Sequence, residues 1–187
     1  MFIYISNLLI KKNNFMKKFS LFFCVLLAAS LTSFAQKGNN QISIGPEVGI
    51  PMGTFGDAYS VGFGGTVKGL LGVGQSGQLT LTLGYLHFKG KSGTSNNGYS
   101  YANQTFNIIP YLIGYRHNIK AFYIEPQLGF ASYTTKVTGE KISETRLTYA
   151  LGTGYTMHSF DIGIRFQSHE GTSFLGVRAA YVFNLKK

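Results

Sequence analysis

The sequence predicts an all-β fold: an eight-stranded antiparallel up-and-down transmembrane β-barrel, preceded by a signal peptide. Three observations carry this reading. Eight segments alternate apolar and polar residues with a period of two, the signature of strands with one apolar face. The connectors between them alternate between tight turns and loops of variable length, as in a meander closed on itself. The residues opposite the aliphatic ones are mostly small or uncharged, with a few charges of both signs, where a soluble exterior would carry many more Lys and Glu.

The first segment, Gln41 to Ile50, sets Ile42, Ile44, Val48 and Ile50 against Gln41, Ser43, Gly45, Glu47 and Gly49. Ser60 to Val73 repeats this with Val61, Phe63, Val67, Leu71 and Val73 opposite Gly62, Gly64, Thr66, Lys68 and Gly72. Gln78 to Lys89 follows a Gly-rich turn at 74–77, with Leu79, Leu81, Leu83 and Tyr85 on the apolar side. Gln104 to Tyr115 is less regular, with apolar residues on both parities, and its Pro110 is read as a bulge. Alternation returns in Ala121 to Tyr133, Arg146 to Thr156, Phe160 to His169 and Phe174 to Leu185. Residues 74–77, 117–120 and 157–159 are the tight turns. Residues 51–59, 90–103, 134–145 and 170–173 are the loops of the other end.

Composition excludes several classes. The chain has 187 residues, one Cys, no Trp, 24 Gly and 28 Phe or Tyr, so neither a disulfide scaffold nor a Cys-based metal site is expected. No cofactor is expected either: Gly90-Lys91-Ser92 lacks the upstream glycine spacing and following helix of a phosphate loop. Residues 1–35 read as the signal region. Met16 is the expected start, followed by Lys17, Lys18, an apolar run from Phe19 to Leu31, and cleavage after Ala35. Residues 36–187 then form the barrel domain.

The polar face decides which side of the barrel is outside. Gly, Thr, Ser and Gln with the charges Glu47, Lys68, Glu125, Asp161, Arg165 and Arg178 suit the cramped lumen of eight strands. Aromatic residues suit two interfacial girdles. Tyr115, Phe122, Tyr155, Phe160, Tyr181 and Phe183 fall near the tight turns. Phe63, Tyr85, Phe130, Tyr149, Phe166 and Phe174 fall near the loops.

With the signal region, the eight segments and the terminal strand Gly176-Val177-Arg178-Ala179-Ala180-Tyr181-Val182-Phe183, the chain resembles the small outer-membrane β-barrels of Gram-negative bacteria, of the OmpA-transmembrane-domain and OmpX type. The resemblance implies residence in the outer membrane, contact with its lipid and lipopolysaccharide, and delivery by the outer-membrane insertion machinery. Gly176, Tyr181 and Phe183 match the assembly signal of such strands, although Asn184 to Lys187 follow the expected terminal Phe.

A charge in a narrow lumen is costly unless paired, so Glu47, Glu125 and Asp161 are expected to meet Lys68, Arg165 and Arg178 as a structural plug. Ser168-His169-Glu170 is the only cluster with nucleophile and base chemistry, and neighbours on a strand face opposite ways, so no catalytic residue is assigned. Residues 90–103, with Tyr99 and Tyr101 on a Ser/Asn/Gly background, form a possible recognition loop for a surface partner. The net charge is +10, of which the four lysines of residues 1–35 supply +4, and the remaining positive charge points to lipopolysaccharide phosphates and not to nucleic acid. The expected function is non-enzymatic, structural or surface-interacting. The alternatives are a lipid A-modifying enzyme and a soluble lipocalin-like binding barrel.

Overall fold

The alternating segments become eight strands in a computed structural model of the chain, which describes residues 40–91, 104–137 and 140–185. They are β1 (Gln41–Met52), β2 (Gly62–Val73), β3 (Gly77–Lys89), β4 (Thr105–Ile119), β5 (Phe122–Val137), β6 (Glu140–Met157), β7 (Phe160–His169) and β8 (Thr172–Asn184). One short helix, α1 (Gly53–Ala58), lies between β1 and β2. Each strand pairs antiparallel with its sequence neighbours, and β1 pairs with β8, so the barrel closes. The signal region and Tyr99 and Tyr101 lie outside the described residues.

The register fixes the geometry. Starting at Gln41, successive partners are Leu70, Thr80, Gly114, Gln127, Ala150, Gln167 and Phe174, and the circuit returns to β1 at Pro51, ten residues along. With ~3.3 Å per residue and ~4.8 Å between strands, a shear of ten over eight strands tilts them by about 41°. At that tilt the outward apolar residues of β6, from Leu147 to Met157, cover about 25 Å along the axis, the height of a hydrocarbon band.

The outer face is aliphatic and aromatic all round: Ile44, Leu81, Ile113, Leu128, Leu151 and Ile162 are among many exposed large side chains. The lumen is where the buried polar residues sit. Polar inside and apolar outside is the arrangement of a barrel solvated by lipid, since water would reject this exterior. The register also sets Tyr115, Phe122, Tyr155, Phe160, Tyr181 and Phe183 at one level and Phe63, Tyr85, Phe130, Tyr149 and Phe166 at another, all outward. Phe174 departs from the expected girdle. It points into the lumen and is 1 % exposed, because β8 puts even-numbered residues inside.

Several boundaries differ from the sequence reading. Residues 134–145 are mostly strand: β5 and β6 stay paired out to Val137↔Glu140. Alternation fails there because a sheet wet on both faces needs no apolar side. β4 runs past Tyr115 to Ile119, so His117 is a strand residue. The fourth loop shrinks to the turn between His169 and Thr172, where Gly171 takes a φ of 75°. No bulge occurs at Pro110, since the β3–β4 register is the same on both sides of it. The ladder instead skips two pairs there, as it does at Pro46 towards β8 and at Pro126 towards β4. A missing N–H interrupts the hydrogen bonds without shifting the strand.

Candidate functional site

The lumen is filled at three levels, which the register stacks from the turn end to the loop end. The lowest is a belt of side-chain amides. Asn118 Nδ2 donates to Gln78 Oε1 (3.1 Å), Gln78 Nε2 to Gln41 Oε1 (3.1 Å), and Gln41 Nε2 to Asn184 Oδ1 (2.7 Å). Four strands are thereby tied across the barrel mouth by neutral groups that satisfy one another.

The middle level carries the charges. Lys68 Nζ lies 2.8 Å from Glu125 Oε2, and Arg165 Nη2 lies 2.8 Å from Glu47 Oε1. Arg178 reaches Asp161 only at 3.9 Å and spends its better hydrogen bonds on Thr66 (2.6 Å) and Ser43 (2.7 Å). The six sequence-derived charges therefore share one level, but a seventh residue joins them. Arg116 donates from Nε to Glu125 Oε2 at 3.0 Å and from Nη1 to Asp161 Oδ2 at 2.6 Å. Its guanidinium lies 3.6 Å from the centroid of the Tyr123 ring, whose hydroxyl donates to Asp161 Oδ1 at 2.8 Å. Glu125 also accepts from Thr80 and Gln127.

Glycines make this network possible. A Cβ at Gly154 or Gly163 would meet the Tyr123 hydroxyl, and one at Gly176 would meet Glu47 Oε1. Gly176 is thus an inward spacer for the Glu47–Arg165 pair, while Tyr181 and Phe183 of the same strand point outward.

The third level is apolar. Leu86, Phe88, Ile108, Ala131, Tyr133 and Phe174 line the lumen towards the loops, and α1 drops Phe55 onto them. Phe55 packs within 5.1 Å of the rings of Tyr59, Phe88 and Phe106. Thr54 Oγ1 bonded to the Gly171 carbonyl and Lys91 Nζ bonded to the Gly56 carbonyl hold the helix at the rim.

Beyond this cap the β5–β6 hairpin stands clear. β6 meets β7 only from Tyr149 onward, so Glu140–Thr148 is paired on the β5 side alone. Lys89, Thr105, Lys136 and Lys141 are successive register partners across β3 to β6, and all three lysines are exposed on the outward parity. The tilt sets them about 6 to 15 Å beyond the apolar belt.

The histidines are dispersed. His87 Nδ1 lies 2.7 Å from Asn107 Oδ1, which also accepts from the Tyr85 hydroxyl at 2.9 Å. His169 Nδ1 faces the Leu147 carbonyl at 3.1 Å and stacks on Tyr133, while Ser168 shares its hydrogen bond with Ser173. Ser168 and His169 are thus each engaged elsewhere. Among the described residues no group of three or more His, Cys, Asp or Glu is placed to hold a metal.

Ail, the attachment invasion locus protein of Yersinia pestis solved with the heparin analogue sucrose octasulfate, superposes with a TM-score of 0.56 at 16 % identity, over 79 % of this chain and 100 % of Ail. Neisserial surface protein A gives a TM-score of 0.55 at 13 % identity, over 78 % of this chain and 97 % of that one. The fold is that of the small outer-membrane β-barrels. Ail in a phospholipid bilayer nanodisc agrees, with a TM-score of 0.52 at 17 % identity over 79 % of this chain and 100 % of that chain. No protein-family model matches the chain, and no curated protein sequence does. In this barrel, sequence reasoning missed Arg116 and the aromatic cap. Arg116 was legible as the next even-numbered position after Leu112 and Gly114. Leu86, Phe88 and Phe174 also hold inward parity; the first two were assigned to neither face, and the aromatic character of Phe174 set it in the girdle.

Proposed function

We propose that this chain is a non-enzymatic outer-membrane protein whose barrel is a rigid, plugged platform presenting its loop end to the cell exterior. The stacked filling of the lumen carries the reading. Amides, ion pairs and an aromatic cap leave the barrel no chemistry to perform inside, so its distinctive surfaces are the projecting hairpin and the lysine row. β3 ends at Lys89 and β4 begins at Thr105 on this same end, either side of the segment that contains Tyr99 and Tyr101 in the sequence. Delivery follows the insertion machinery through the terminal strand with Gly176, Tyr181 and Phe183.

The partner favoured by charge is lipopolysaccharide. Lys89, Lys136 and Lys141 point away from the barrel axis, beyond the apolar belt, where headgroup phosphates lie. The complex of Ail with a sulfated heparin analogue supports polyanion recognition on this fold without assigning it here. Lys89→Gln/Lys136→Gln/Lys141→Gln and the parent chain are to be unfolded with urea in phosphatidylcholine vesicles, with and without lipopolysaccharide. The parent is expected to gain stability from lipopolysaccharide, and the triple variant to lose most of that gain. An equal gain in both would reject the lysine row as the contact.

A further inference from the structure

The lumen holds an unequal number of opposite charges. Among the described residues, Lys68, Arg116, Arg165 and Arg178 are buried cations, against the carboxylates Glu47, Glu125 and Asp161. One positive charge is left without a counterpart in a region closed by amides below and aromatic rings above. Such a charge is costly in a low-dielectric interior unless something neutralises it.

The same level contains an unfilled space. A cavity of about 20 Å³ is bordered by the cations Lys68, Arg165 and Arg178 and the carboxylates Glu47 and Glu125, with Thr66, Thr82, Tyr123 and Gln127 among its other polar neighbours. That is room for one water-sized body, or two at most. Arg165 Nη1 and Arg178 Nη1 have no hydrogen-bond partner, although both side chains are more than nine-tenths buried; the nearest carboxylate oxygen to Arg178 Nη1 is Asp161 Oδ1 at 3.9 Å, beyond hydrogen-bond reach. Glu47 Oε2 and Gln127 Oε1 are unpartnered acceptors on the same wall.

We infer that this cavity is a binding site for a small monovalent anion of halide size, held by the Nη1 groups of Arg165 and Arg178, neither of which makes a hydrogen bond within the protein. The anion balances the fourth cation and satisfies two donors that the protein itself leaves open. Polyatomic anions such as phosphate or gluconate are too large for the space. The layers on either side make exchange slow, so the ion enters as the barrel folds or opens.

The test uses the barrel domain refolded in phosphatidylcholine vesicles at equal ionic strength in sodium chloride, bromide or gluconate. For a dissociation constant of about 10 mM, replacing 100 mM halide by gluconate lowers the folded-to-unfolded ratio about tenfold. Arg178→Met removes the surplus charge while Asp161 keeps Arg116 and Tyr123. Its stability should respond to the same exchange of salts at least three times less. Crystals grown in bromide should show an anomalous peak within hydrogen-bond reach of Arg165 Nη1 and Arg178 Nη1 in the parent protein. Equal responses of parent and variant, or water alone at the site in bromide crystals, would overturn the assignment.

Discussion

Removing Arg116 should damage the barrel more than removing any other lumen charge. Its guanidinium makes two charge-assisted hydrogen bonds, to Glu125 at 3.0 Å and Asp161 at 2.6 Å, and covers the Tyr123 ring at 3.6 Å. Hydrogen bonds to charged groups are worth about 1.5–3 kcal/mol each, and a desolvated cation–π contact about 2 kcal/mol. Against that stands the relief of no longer desolvating a guanidinium. Broken buried pairs come out at about 3–5 kcal/mol, because the remaining carboxylates lose their compensation. Arg116→Met keeps most of the side-chain volume and isolates the charge. Lys68→Met is the comparison: Glu125 retains Arg116, Thr80 and Gln127, so the expected cost is about 1–2 kcal/mol. Reversible urea unfolding in vesicles reads both. At ~2 kcal/mol per molar urea, Arg116→Met moves the midpoint down by about 2 M and Lys68→Met by less than 1 M. Equal shifts, or a larger one for Lys68→Met, would refute Arg116 as the hub.

Other consequences follow from the same geometry. Gly163→Ala should cost about 2 kcal/mol, since its Cβ meets the Tyr123 hydroxyl, whereas Gly69→Ala has nothing within 4 Å and should be neutral or stabilising in the same unfolding assay. Gly176→Ser should be poorly tolerated for a like reason, its Cβ meeting Glu47 Oε1. Val177→Arg puts a charge on the lipid face and should cost about 2–4 kcal/mol in vesicles. Phe55→Ala should cost about 3 kcal/mol by opening the cap, yet planar-bilayer recordings should stay silent because the charge level still fills the lumen.

Much of the fold was legible because the membrane imposes one rule on every strand. Wherever a strand meets lipid on one face, as at Leu79 to Tyr85, the period of two is clean and its boundaries are readable. Legibility failed where that rule lapses. Residues 140–145 of β6 are exposed on both parities, so they looked like loop. In β4 the apolar Ile108 and Leu112 face inward beside outward Tyr111 and Ile113, which blurred the alternation and ended the reading one residue short of Arg116. The charges of the site were readable one by one from parity. Their partners were not, because they depend on the register: it is the shear of ten that raises Arg165 beside Glu47 and sets Arg116 between Glu125 and Asp161.

The central claim is that the aliphatic face meets lipid and the filled lumen does not. The chain contains no Trp, so one introduced residue reports alone. Leu151→Trp lies within the apolar belt, where the parent residue is 57 % exposed, and Phe55→Trp lies within the cap, where the parent residue is 5 % exposed. In vesicles of lipid brominated at mid-chain, emission from position 151 should be strongly quenched and emission from position 55 should not. Strong quenching at 55 with none at 151, or a cooperatively folded monomer in plain buffer without lipid or detergent, would contradict the account.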